Sequence, residues 1–319
     1  MKGKAVILVA IICFVLTLGT IPVAKADTVL FPVIAVNYPY VTTIVSVTNQ
    51  GPTSGYLKYT YFYKPAFVGG LPNYSGECSI YSRVRPTWSP DVVSFDASGS
   101  FNGGWALFND ADNYGGPFDL PVSGAYRGYL LVTNSDAAGN RVNVGSIASL
   151  RGEAIVMDIF AGAAWGYRAV NNESREDYDF WGMAGAIPSG STFRFSFFPL
   201  NEWTTRFFVT PVDWGMNLLP TWTSTIKLYQ ASPVVGGIYG RAWDTYAFNV
   251  TQVVRCTAGV NLVDLLDATA YSNLWSTGGW GRIGISSGHS AYIYKLEYVV
   301  NNPTYGGTNN NAYQLNPAD

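Results

Sequence analysis

From residue 27 onward the chain alternates short apolar runs with turn residues. β-Branched and aromatic runs lie at Thr28–Val36, Thr42–Thr48, Tyr56–Tyr63, Tyr126–Thr133, Ala154–Phe160 and Ala164–Val170. They continue at Thr192–Phe198, Thr204–Thr210, Ser224–Tyr229, Tyr246–Val254, Arg282–Ser286 and Ala291–Val299. Gly, Pro, Asn or Asp bounds each run, which predicts strands joined by turns. Within Tyr292–Tyr298 the alternation is strict: Lys295 and Glu297 share a face with Ile293, opposite Tyr292, Tyr294, Leu296 and Tyr298. That is the pattern of a half-buried strand. Gly162 between two runs predicts a hairpin there. One short helix is expected near 261–269, capped by Asn261, with Leu262, Leu265 and Leu266 as its apolar stripe. The predicted fold class is all-β: one or two antiparallel β-sandwich (Ig-like) units with this single helix.

The first 26 residues follow a different plan. Lys2 and Lys4 precede an uninterrupted apolar run, Ala5–Leu18, and Ala24-Lys25-Ala26 supplies small residues where a signal peptidase requires them. The run is short for a bilayer span of about 20 residues. Residues 1–26 therefore read as a signal peptide, and the mature chain is expected to begin at Asp27. Removing three lysines leaves 19 − 3 = 16 basic against 21 acidic residues, a formal charge of −5. This acidic balance argues against nucleic acid and anionic membranes as partners. No later run is long enough to span a bilayer. A secreted, extracellular or cell-surface location is expected, with the periplasm as the alternative. Cleavage also removes Cys13, leaving Cys78 and Cys256, which an oxidising compartment favours as one disulfide over two buried thiols.

Two Phe-Pro pairs, Phe31-Pro32 and Phe198-Pro199, each precede a T-T-x-x-x-V-T strand, at Thr42–Thr48 and Thr204–Thr210. One reading is a duplication: a first sandwich over 27–175, a linker over 176–190, a second sandwich over 191–300 and a flexible C-terminal arm over 301–319. The other is that Thr and Val simply favour strands.

Candidate chemistry is sparse. His289 is the only histidine, so multi-histidine zinc sites are excluded. It is expected in a solvated turn, with a general-base role as the alternative. Glu153, Asp158 and Glu202 lie in or beside apolar runs and are the carboxylates to weigh for glycoside hydrolysis. Asp110, Asp112 and Asp119 form the best calcium candidate, in competition with a plain Asx-rich turn; no other cofactor is expected. Trp105, Trp165, Trp214, Trp222, Trp243 and Trp280 lie near turns and are the candidates for stacking on a ligand.

The stretch Val29-Leu30-Phe31-Pro32-Val33, followed by Thr42-Thr43-Ile44-Val45-Ser46-Val47-Thr48-Asn49, resembles exported bacterial β-sandwich proteins. In these an L-F-P strand leads to an apolar strand ending in T-N. The resemblance implies a secreted Ig-like architecture and brings no catalytic residue. The leading expectation is a non-enzymatic exported surface protein with a structural, adhesive or assembly role, whose partners are further copies, other surface proteins or glycans. The alternative is a carbohydrate-binding module or a carboxylate-dependent glycoside hydrolase.

Overall fold

The computed structural model describes residues 27–37, 39–51, 55–99, 118–142, 149–158, 163–172, 179–180, 182–213, 216, 223–228, 237–242, 244–246, 250–286, 288–299 and 313–315. Among the described residues the fold is all-β, built from antiparallel sheets with one α-helix.

The first part contains β1 (Thr28–Asn37), β2 (Val41–Asn49), β3 (Gly55–Pro65), β4 (Phe67–Val68), β5 (Leu71–Pro72), β6 (Ser79–Thr87), β7 (Asp91–Asp96), β8 (Ala125–Ser135), β9 (Leu150–Asp158), β10 (Ala163–Arg168) and β11 (Val170–Asn171). β2 is flanked by β7 and β9; its one ladder pair with β1 among the described residues is Asn37↔Val41, and Thr43 Oγ1 also bonds the Ala35 backbone. The hydrogen-bonded ribbon therefore folds into two layers at that corner, β6-β3-β8-β1-β11 and β7-β2-β9-β10. The predicted pairing of β9 with β10 is present. Gly152 of β9 is required by the layering: a Cβ there would come within 2.3 Å of the Phe31 ring on β1.

The second part contains β12 (Thr192–Phe197), β13 (Trp203–Val212), β14 (Thr223–Leu228), β15 (Ile238–Gly240), β16 (Thr245–Tyr246), β17 (Thr251–Arg255), β18 (Ala258–Asn261), α1 (Ala268–Leu274), β19 (Gly279–Ser286), β20 (Ser290–Val299) and β21 (Tyr313–Leu315). One sheet is centred on β19; the other runs β18-β13-β20-β21. Phe207, Val209 and Ile293 face a core shared with Phe195, Ile226, Ile283 and Leu274. Phe208, Tyr294 and Leu296, on the opposite face, join the core of the first part.

Four expectations change. β20 is not half-buried: Lys295 and Glu297 are 2 % and 3 % exposed, because the β19 sheet covers the face that carries them. The helix does not span 261–269. Leu262–Leu265 form a 3-10 turn, and α1 starts later with Asp267 accepting the Ala270 N–H at 2.7 Å. Asn261 makes no cap because Arg206 Nε and the Asp264 carboxylate occupy its amide. Within the expected arm, Tyr313–Leu315 pair with Glu297–Lys295 as an added strand. Within the stretch read as a linker, Phe180, Met183 and Ile187 are buried.

The junction is built on a bulge. Between Phe31↔Leu130 and Ile34↔Gly128, β1 carries one residue more than β8. Pro32 has no N–H to lose, and the freed Val33 N–H and C=O both go to the Tyr167 hydroxyl. The Pro32 carbonyl accepts from Thr210 Oγ1 of β13 at 2.5 Å. Trp165 and Tyr167 of β10 then pack on Phe208 and Tyr294, with centroids 5.2–6.1 Å apart. Cys78 and Cys256 form the expected disulfide across the same junction. Beside it the buried Lys64 ammonium donates to the carbonyls of Tyr74, Gly76 and Arg255 at 2.7–3.1 Å.

These groups give stability a pH profile. Burial, and then the Arg255 guanidinium, hold Lys64 down to about 7 from an ordinary 10.5. Between those values the unfolded chain binds the more protons, so stability rises with pH. Burial holds Tyr59, Tyr61, Tyr129 and Tyr167 above their ordinary 10. Their contribution is complete below pH 10 and is lost above it. The Lys64 contribution to the melting temperature should climb from pH 7 to about 10, and the contribution of the tyrosines should fall beyond it. Lys64→Met should flatten the rising limb; an unchanged limb would remove Lys64 as its source.

Candidate functional site

A cleft of about 380 Å³ opens where β12, β15, β19 and β20 meet. Its walls are Ser196, Phe197, Phe198, Gly240, Arg241 and Gly279–Trp280, with Glu297 among them. Glycine makes the wall thin. A Cβ on Gly279 would lie 1.9 Å from the Tyr239 carbonyl oxygen, so β15 and β19 approach this closely only because position 279 has no side chain. The partly exposed Trp280 ring stacks on Tyr239 at 3.9 Å and 11° between planes, which fixes it as a flat, backed surface. Phe198, 37 % exposed, packs on Trp203 with ring centroids 4.6 Å apart and planes tilted by 34°. The Trp275 carbonyl accepts the Asn201 N–H, bringing the exposed Tyr271–Trp275 pair beside the same loop.

Glu297 is fixed in place. Its Oε1 accepts from the Phe198 N–H and Thr205 Oγ1, both at 2.9 Å, and its Oε2 accepts from Lys295 Nζ at 2.9 Å. Lys295 also donates to the Ser196 carbonyl. One ion pair thus anchors both lips of the β12–β13 connection to β20 and commits both carboxylate oxygens to holding the fold. The chemistry on offer is an aromatic platform, an exposed guanidinium at Arg241 and backbone polar groups.

No family model matches this chain, and no curated protein or solved structure is similar to it.

The residues singled out in the sequence distribute unevenly. Trp280 lines the cleft. Trp165 is 7 % exposed, packed against Tyr167, Phe208 and Tyr294, so it is a core residue and not a stacking surface. Trp105, Trp214, Trp222 and Trp243 lie outside the described residues, as do Asp110 and Asp112. Asp119 is partly buried between the core residues Phe118 and Leu120, and burial raises its pKa. Among the described residues no three His, Cys, Asp or Glu side chains gather to hold a metal. Glu153 is exposed on β9, Asp158 ends that strand, and Glu202 sits in the Pro199–Trp203 turn.

His289 is not a solvated turn residue. Its Nδ1 lies 2.8 Å from Asp213 Oδ2, with the side chains 25 % and 15 % exposed. Val212↔Ser290 is the last pair of the β13–β20 ladder, so Asp213 and His289 meet one step beyond it. The acid that does line the cleft, Glu297, lies on the Ile293 face of β20. Its alternation with Leu296 and Tyr298 is the same whether that face meets water or a second sheet.

Proposed function

We propose that this is an exported extracellular protein that acts by adhesion, holding a carbohydrate in the Trp280 cleft. The observation that carries the reading is the Trp280–Tyr239 stack: a flat apolar ring, backed by a second ring and open to a cleft, matches the apolar face of a sugar. Arg241 and the Ser196 hydroxyl add donors at the rim for sugar hydroxyls. Binding is favoured over hydrolysis because Glu297, the acid lining the cleft, spends both oxygens on Phe198, Thr205 and Lys295. The predicted signal peptide and the disulfide support action outside the cytoplasm. So does the resemblance of the Phe31-Pro32 region to exported β-sandwich proteins.

The test is a screen of the mature chain against immobilised and soluble glycans. Retention of at least one glycan class without release of reducing ends is expected. Glycan cleavage would reassign the cleft to catalysis, and failure to retain any glycan would remove the reading.

A further inference from the structure

Asp27, the residue expected to follow signal cleavage, is fully buried. Its Oδ2 accepts from Ser149 Oγ at 3.0 Å and from the Ser149 and Leu150 N–H groups, and its Oδ1 from Asn171 Nδ2 at 2.8 Å. Its carbonyl accepts the Asn134 N–H at 3.2 Å. One aspartate thus ties the start of β1 to β8, β9 and β11.

A carboxylate removed from water needs a counter-charge as well as hydrogen bonds. Among the described residues every donor to Asp27 is neutral. Its neighbours are Asn134 of β8, Ser149 just before β9, Leu150 at the start of β9 and Asn171 of β11; none of them titrates. Of the next charged residues, Arg141 bridges its backbone to Ser135, is partly buried and makes a contact of its own; the others are engaged or exposed. Asp136 accepts from Ala138 and Asn140 in its own turn, and Arg151 and Arg168 are exposed.

We propose that the counter-charge is the α-ammonium of Asp27 itself, created when the Ala26–Asp27 bond is cut, so that processing strengthens the fold it releases. This rests on the export reading above. In the step, a signal peptidase directs water onto the Ala26 carbonyl carbon and the C–N bond breaks. Hydroxide oxygen stays with Ala26 as its new carboxylate, and the nitrogen stays with Asp27, taking up a proton to become the ammonium. In the uncut chain the same nitrogen is a neutral amide.

The experiment compares the full mature chain, released from a fusion immediately before Asp27, with the same chain acetylated at the α-amine. At pH 6 the acetylated chain should melt about 5 °C lower. An α-amine ordinarily titrates near 7.7–8.0, and the carboxylate raises that value in the folded state. The stabilisation is therefore complete below the ordinary value and lost above the raised one, and the gap should close by about pH 10. In Asp27→Asn, acetylation should no longer shift the melting point at pH 6. Should that variant not fold, the pH dependence of the wild-type gap decides alone. A gap equal at pH 6 and pH 10, or none, overturns the inference. N-terminal sequencing of the exported protein separates the two readings: a start at another residue overturns the processing site itself.

Discussion

Replacing Cys78 and Cys256 by serine should lower the unfolding free energy by about 4–5 kcal/mol in the chain-entropy account of a cross-link. The bridge closes 178 residues, so its absence frees a long loop in the unfolded ensemble. The same change loosens a second tie. The carbonyls that hold Lys64 belong to Tyr74 and Gly76, just before Cys78, and to Arg255, next to Cys256. Cys256 also holds a left-handed backbone, φ 65°, that a non-glycine residue adopts only under constraint. Urea midpoints of the oxidised protein and the double-serine variant give the difference. A loss below about 1 kcal/mol would mean that the aromatic junction alone holds the two parts together.

Glu297→Ala should cost about 3–5 kcal/mol, because it strands the Lys295 ammonium in a buried site. It also removes the acceptor for the Phe198 N–H and the Thr205 hydroxyl, so the lip of the cleft that carries Phe198 should lose its position. The double variant Lys295→Met with Glu297→Leu removes both charges together and should recover much of the stability but not the lip. Chemical denaturation of the two variants separates the effects. Equal losses in both would place the cost in packing and not in the orphaned charge.

The strands were legible wherever β-branched and aromatic residues ran between turn residues. β1, β2, β3, β13 and β20 were placed to within a few residues. β6, with Arg83, Arg85 and Pro86 in its sequence, was not, because cross-strand pairing with β3 holds it despite its composition. The helix was misplaced because Asn261 has the chemistry of a cap but gives its amide to Arg206 and Asp264, partners that only the tertiary fold supplies. The disulfide was expected because Cys78 and Cys256 are the two cysteines after residue 26. Of the cleft, Trp280 was legible as an aromatic residue among glycines. Glu297 and Arg241 were not, since no local pattern brings β12, β15, β19 and β20 together.

The most direct test of the account is the affinity of Trp280→Ala for whichever glycan the intact protein retains, measured by titration calorimetry beside wild type. Loss of one backed aromatic platform should weaken binding about tenfold or more; the variant also loses its stack on Tyr239, so affinity is measured below its own melting temperature. Undiminished binding by Trp280→Ala would contradict the claim that this protein adheres through its cleft.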